Sequence, residues 1–411
     1  MRLAMLNKRP GRALAALLLC AHTGSAAAQS TTVTGGVTLS NALTQLTLPV
    51  AGAAVGDAIS LAAALEVATS PLGISSAGFV YKLDPATGLR VRTATTFGPA
   101  FSERVLTAGA GNLSFAASLT VSTFDRIGSF KLDRMQLSKV DAESADVDRQ
   151  GLASLALSSQ TFLMYASLGA TERLDLSVAV PIVKVKLEGL SWVQNRNGDV
   201  LLRSTASGIS SGLGDIAVLA KYRLLRFGEG EPDPGGVALL GTVRMPTGDR
   251  ENLRGLGVTR TMASIVASSG RGRFRPHANV GYEAWSKGVA VVADPLSRRT
   301  VTVKNQVQYA AGIELEAAPK VTVIVDVLGR HILGGGRVAA ESFPAPTNTV
   351  GVTGLSAVTA QSEGIRKLTL APGFKWNLKG NMLLSLNALI PLRDNGLSDR
   401  FTPVVGLDWT F

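Results

Sequence analysis

Residues Phe401–Phe411 read FTPVVGLDWTF, and this stretch decides the fold. Phe401, Pro403, Val405, Leu407, Trp409 and Phe411 fall on one face of an extended chain, and Thr402, Val404, Gly406, Asp408 and Thr410 on the other. That is the period-two pattern of a strand with one apolar face. Upstream the pattern repeats. Met382, Leu384, Leu386, Ala388, Ile390 and Leu392 oppose Ser385 and Asn387; Leu368, Leu370, Pro372, Phe374, Trp376 and Leu378 oppose Lys367, Thr369 and Lys375. Val321, Val323, Val325 and Val327 oppose Thr322, Asp326 and Arg330. A single strand is expected over residues 301–316, with Val301, Val303, Val307, Tyr309, Ile313 and Leu315 opposing Lys304, Gln306, Glu314 and Glu316. Phe274, Ala278, Val280 and Tyr282 oppose Arg273, Arg275, His277, Asn279 and Glu283; Val218, Ala220, Tyr222 and Leu224 oppose Asp215, Lys221 and Arg223. Weaker alternation covers Asn112–Phe124, Leu155–Gly169, Leu174–Leu187, Val237–Met245 and Leu256–Ala267. Within Leu174–Leu187 it slips near Pro181–Val183, which marks a bulge or the strand's exit from a membrane.

A soluble sandwich can also end on an amphipathic strand, so composition has to arbitrate. The chain has 411 residues, of which 46% are hydrophobic and 17% charged, with mean hydropathy +0.24. Outside the N-terminus no apolar run approaches the about 18 residues of a membrane helix, and the apolar content excludes disorder. Strands whose apolar face meets lipid account for both facts. They run about 9–11 residues, and in a bilayer the sheet must close so that every backbone group is paired. The segments sum to about 12 strands, with 14 as the alternative count, and bacterial barrels take even numbers. The strand ending on an aromatic residue resembles the C-terminal signal of bacterial outer-membrane barrels, and Phe411 is then the handle for the barrel-assembly machinery. If Phe411 is periplasmic, the long connections Asp125–Gly151, Gly189–Gly212, Trp285–Thr300 and Gly334–Gly364 all lie outside. Ile127–Leu137 is placed in the first of these loops.

The N-terminus reads as a secretory signal peptide over residues 1–28. Arg2, Lys8, Arg9 and Arg12 precede a short apolar stretch, Ala13–Cys20, and cleavage is expected after Ala28. Residues 29–110 do not alternate. Asp57–Ser70 has helical spacing, with Leu61, Ala64, Leu65 and Val67 on one side and Pro71 as a stop, and is expected to form an amphipathic helix serving as a lumen plug or a periplasmic segment. Thr96–Arg104 (TFGPAFSER) reads as a fixed turn near the barrel mouth. The barrel itself is assigned to residues 111–411.

On these strands the inward face carries Lys221, Arg223, Arg244, Arg273, Arg275, His277, Glu283, Lys304, Glu314, Asp326, Arg330, Lys367 and Lys375. Mixed charge in a narrow barrel either pairs across the wall or forms a constriction that selects permeants. Gly212, Gly214 and Asp215, and likewise Gly248 and Asp249, mark the external rim as turn residues, or alternatively as a rim binding site. The net charge of +11 suits lipopolysaccharide phosphates, and the basic residues are too dispersed for nucleic acid. No catalytic, cofactor or metal constellation is legible. His277 has no nucleophile motif beside it, and no phosphate-binding fingerprint sits in a strand–turn–helix context.

Three segments carry a family resemblance. They are Ser70–Phe130 (SPLGISSAGFVYKLDPATGLRV followed by FGPAFSER), Ser211–Leu224 (SGLGDIAVLAKYRL) and Arg244–Asp249 (RMPTGD). Together they resemble the outer-membrane family grouped with the meta-pathway of phenol degradation, a distant relative of the fatty-acid and hydrocarbon transporter barrels. The resemblance implies passive import of small hydrophobic or aromatic compounds, and supplies no contact residues. The competing expectation is a non-transporting structural or adhesive barrel that works through its external loops.

Overall fold

The computed structural model describes residues 37–72, 78, 81–83, 90–92, 94, 96–138, 150–194, 200–228, 235–270, 273–292, 300–343 and 355–411. The signal sequence and Ala28 lie outside the described residues. Twelve antiparallel strands close into a ring. They are β1 (Leu113–Phe124), β2 (Gln150–Gly169), β3 (Leu174–Gln194), β4 (Ala217–Arg226), β5 (Gly235–Arg244), β6 (Arg260–Ser269), β7 (Phe274–Trp285), β8 (Gln306–Ala318), β9 (Val321–Phe343), β10 (Leu355–Lys379), β11 (Met382–Asp394) and β12 (Thr402–Thr410). Each pairs with its sequence neighbour, and β12 returns to β1 through Asp408↔Ala116 and its flanking pairs. Closure leaves no edge within the bilayer, which a lipid-embedded sheet requires. Phe411 ends beside Leu113, whose carbonyl it donates to at 2.8 Å, and its ring meets Phe115 edge-on at 6.1 Å. The short turns at Ala170–Arg173 and Gly380–Asn381 share that end, which is periplasmic in an outer-membrane barrel.

The periodicity has its expected cause in the lower wall. Leu176, Val178, Leu239, Val280 and Val405 are exposed on the outer face, and Tyr222, Phe274 and Trp376 ring its periplasmic edge, as interfacial aromatics do. The external half inverts. On β3 the outward residues change from Leu176, Val178 and Ile182 to Lys184, Lys186 and Glu188, while the inward ones change from Asp175 and Ser177 to Val183, Val185 and Leu187. The same strand is lipid-facing below and water-facing above.

What the apolar inner face of the upper half covers is a pair of helices, α1 (Leu39–Thr47) and α2 (Ala53–Thr69). Leu39, Leu43, Leu46, Ile59, Leu61 and Leu65 pack there with Leu155, Val185, Leu187, Val301 and Val303 in one core. α2 is not amphipathic as expected. Val55, Ile59, Leu61, Ala63 and Leu65 are buried on all its sides, because α1 and the strand extensions enclose it. Thr38 caps α1 by accepting from Asn41 N–H at 3.3 Å, and Leu39, Leu43 and Leu46 recur at helical spacing along its buried face.

Three expectations are corrected by that core. The connections at 189–212 and 334–364 are mostly strand: Val200–Leu213 pairs back on β3, and β9 and β10 run on past the membrane. Residues 301–316 are two strands, because Asn305 takes φ +63° and breaks the phase. Val301 and Val303 therefore face the helices rather than lipid. β6 starts at Arg260; Leu256 and Val258 are core residues of the loop before it. The slip at Pro181 is a change of partner. β4 pairs with Leu174–Ala179, and above it Val200–Leu213 takes over from Ile182. Proline, with no N–H to offer, suits the gap between the two ladders, and its carbonyl accepts from Gly214 N–H at 2.9 Å. Residues Arg126–Ser138 form short strands and a turn of helix at the external end, in the loop where they were placed.

Candidate functional site

The lumen is crossed twice by the chain before β1. From Thr69 the backbone descends from α2, and residues 96–112 then run as a strap across the periplasmic end. A strap with no sheet partners must satisfy its backbone groups through side chains, and the inward-facing charges of the wall do this. Lys221 Nζ donates to the carbonyls of Leu106 (2.8 Å) and Arg104 (3.3 Å), with Glu103 at 3.2 Å and Asp175 at 3.6 Å. Asp175 accepts Ala108 N–H at 3.0 Å, and Glu314 accepts Gly98 N–H at the same distance. Asp326 accepts Phe101 N–H at 3.2 Å and the Ser102 hydroxyl at 3.3 Å. Lys375 donates to Pro99 O at 2.8 Å. The amide of Asn279, with its oxygen toward the strap, accepts Glu103 N–H at 2.6 Å.

His277 lies behind the strap, with Nε2 2.7 Å from Asp326 and Nδ1 3.8 Å from Glu314. Ser102 bonds the same aspartate rather than the imidazole, so the three do not form a serine–histidine pair. Arg275 is buried on the same wall.

A second set of charges holds the helices. Arg260 donates to Ala68 O at 2.9 Å and pairs with Asp215 at 3.1 Å and Glu283 at 3.5 Å. Arg330 bonds the carbonyl and hydroxyl of Thr69 and pairs with Glu66 at 2.5 Å. Lys367 joins Glu66 and Asp394. Guanidinium groups at the last carbonyls of α2 satisfy acceptors that have no intrahelical partner and complement the helix dipole. Burial alone would raise the Glu66 carboxyl; Arg330 and Lys367 outweigh it and hold it below the usual carboxylate range.

The two glycine–aspartate motifs, distant in sequence, clasp each other at the external rim. Thr247 Oγ1 donates to Gly214 O at 2.6 Å and accepts Ile216 N–H at 2.9 Å, and Asp215 accepts Gly248 N–H at 3.1 Å. Gly248 leaves no space for a side chain, since a Cβ there would sit 2.4 Å from Arg254 O. Asp249 accepts from both nitrogens of Asn252 and faces Arg254 at 3.3 Å. Partial burial opposes its charge, but the Asn252 bonds and Arg254 keep its carboxyl below the usual range. Gly212 is the last residue but one of the Val200–Leu213 ladder, beside this clasp and opposite Val183. Three of the expected lumen residues lie elsewhere. Lys304 is exposed at the external turn and Arg273 at a periplasmic turn, because each falls just outside its barrel strand. Arg223 is half-buried at the periplasmic rim, where it donates to Glu172 O at 2.8 Å.

Between helices and strap remains a chamber of about 180 Å³. Leu72, Phe101, Leu240, Met262, Leu328 and Leu389 give it apolar surface, and Tyr165, Thr242, Arg244, Asn279 and Gln308 give it polar surface. A smaller cavity of about 40 Å³, behind Pro181 and Gly214, adjoins it at Arg244. The sequence placed Arg244 on the inner face. It gave no sign of Leu72, which follows directly on α2, or of Phe101, whose position depends on the path of the strap.

The chain matches no protein-family model and no curated protein. Among solved structures it is similar to an outer-membrane channel from Pseudomonas putida F1, at 13% identity over 75% of this chain and 98% of that one, with TM-score 0.46. It is also similar to the toluene transporter TbuX of Ralstonia pickettii (11% identity, 74% and 90% coverage, TM-score 0.33) and to a Pseudomonas aeruginosa FadL homologue (9%, 85% and 97%, TM-score 0.31).

Proposed function

We propose that this outer-membrane barrel is a gated passive channel for small hydrophobic or aromatic compounds. The observation that carries the reading is the chamber enclosed between two seals. A cavity of about 150 Å³ is enough to hold a benzene ring, and this one offers about 180 Å³ with apolar walls and a few polar groups, the usual make-up of a small-molecule site. The resemblance carried by residues 70–130, 211–224 and 244–249 points the same way. Entry is through the external helical half, passage is down the lumen, and release follows displacement of the strap. The candidate gate is residues 57–70 and 96–104. Energy comes from the concentration gradient.

A structural or adhesive barrel is the second reading, favoured by the density of paired charge at both ends of the lumen. Uptake of labelled toluene, phenol, octane and octanoate by cells with and without the protein separates the two. Slower uptake of at least one class in the deletion strain, restored by the full chain, supports the channel; equal uptake of all four refutes it.

A further inference from the structure

Arg244 is buried, at 8% exposure, yet its guanidinium makes no hydrogen bond among the described residues, and its Nε is fully enclosed. Its ion-pair partner, Glu283, stands 3.7 Å away, beyond hydrogen-bond reach. Glu283 is held through its other oxygen: Oε1 accepts from Trp285 Nε1 at 2.9 Å and Gln306 Nε2 at 2.8 Å and lies 3.5 Å from Arg260, while Oε2 faces only the Arg244 Nε and makes no hydrogen bond of its own. The Thr242 hydroxyl, on the next inward position of β5, is also buried without a partner. Both line the chamber. Unmet donors on a buried guanidinium are costly, and two neighbouring unmet groups on one wall describe half of a binding site.

Charge decides what the other half is. Arg244 and Arg260 stand against Glu283 and Asp215, while Arg330 and Lys367 stand against Glu66 and Asp394. The surroundings are therefore balanced, and an added anion would be uncompensated. What the chamber lacks is an uncharged acceptor for the terminal nitrogens of Arg244, since Glu283 Oε2 faces only its Nε. Arginine can only donate, so the ligand must supply a strong acceptor, and a carbonyl oxygen fits that better than a hydroxyl. Phe101 and Leu328, which pack together, and Leu240, the inward residue before Thr242 on the same strand, give the chamber apolar surface.

We propose that the chamber is a binding site for a neutral aromatic carbonyl compound, with its oxygen on Arg244 and Thr242 and its ring against Phe101, Leu240 and Leu328. The proposal rests on the channel reading and narrows its permeant class, excluding plain hydrocarbons and carboxylates as preferred occupants. A site built this way rejects an isostere that lacks the acceptor, since its buried donors would stay unpaired.

The test is ligand-observed saturation-transfer NMR on the full chain in detergent, referenced to empty micelles, with acetophenone, its isostere ethylbenzene and benzoate as probes. Acetophenone is expected to bind about tenfold or more tighter than ethylbenzene, the scale of a hydrogen bond to a charged group, and tighter than benzoate. Arg244→Met should bring acetophenone and ethylbenzene level. Thr242→Val, a milder change, should narrow the gap if the first variant does not fold. Equal binding of acetophenone and ethylbenzene to the unmodified protein, preference for benzoate, or unchanged acetophenone binding in Arg244→Met or Thr242→Val would overturn it. Because binding is read without transport, tight binding in a protein that shows no uptake refutes the channel and leaves the site standing.

Discussion

Lys221→Met tests whether the strap is a separable element. Lys221 is 2% exposed and serves the strap through the carbonyls of Arg104 and Leu106 and the carboxylate of Glu103. It also offsets Asp175, whose carboxylate holds Ala108 N–H. Methionine fills the same volume but leaves two carboxylates buried without their cation. Removing one partner of a buried pair costs about 3–5 kcal/mol, which at room temperature is roughly a hundred- to several-thousand-fold in an opening equilibrium. The loss is local, because Lys221 tethers the strap and makes few bonds that the ring itself depends on. The assay is hydrogen exchange resolved by peptide. Amides of residues 96–108 should exchange faster by about that factor, while β7–β9 keep their protection, as expected for a sub-global opening. If the strap retains its protection, or the strands lose theirs equally, Lys221 supports the wall and the strap is no gate.

Freeing one seal leaves the other in place, so Lys221→Met should conduct little in planar bilayers. Combined with Glu66→Gln, which removes the anchor shared by Arg330 and Lys367, it should conduct far more than the sum of the two single variants; additive conductance would refute the two-seal scheme. Glu66 also predicts an acid response. Its carboxyl titrates below its ordinary 4.5 in the folded protein, so its contribution is complete above that pH and is lost as pH falls further through the lowered value. Emission of Trp285, buried in the helical core, should shift red below about pH 4.5 in a variant with Trp192, Trp376 and Trp409 replaced by Phe, and Glu66→Gln should abolish that step. Gly56→Ala would place a Cβ 2.5 Å from Thr44 Cα, forcing α1 and α2 apart at about 1–3 kcal/mol. Denaturant titration of Trp285 emission should then show an earlier midpoint, and an unchanged midpoint would show the helices free to yield.

The sequence made the lower wall legible because lipid imposes a strict rule. Each outward position from Leu176 to Ile182, or from Val321 to Val327, must be apolar, and each strand reports this on its own. The upper half obeys a rule that depends on something else, the presence of a helical core. Val301 and Val303 show the difficulty: they continue the alternation of β8 in sequence and face the opposite way in space, because Asn305 turns the chain between them and Gln306. The inward charges were legible as a face, and Lys221, Glu314, Asp326 and Lys375 do share it. That they converge on the backbone of residues 96–112 was not, since the strap has no periodicity of its own. Arg244 stood in the sequence as one inward cation among many. Its place on the chamber wall, with no hydrogen bond to its guanidinium among the described residues, sets it apart.

The enclosed helices impose an order on assembly. α1 lies at the external end, where Ser40 N–H donates to Glu251 O, whereas the strap and the start of β1 lie at the periplasmic end. A finished ring cannot admit α2, which α1 and the strand extensions enclose. The hairpins must gather around it, and the seam between β1 and β12, which joins the two ends of the ring in chain order, is the one free to shut afterwards. The helices thus act as a mandrel on which the upper half is wound. A chain that lost them would keep its lipid-facing staves but leave Val183, Val185, Leu187 and Val303 lining an open, water-filled cup, a surface prone to collapse or to capture by other chains.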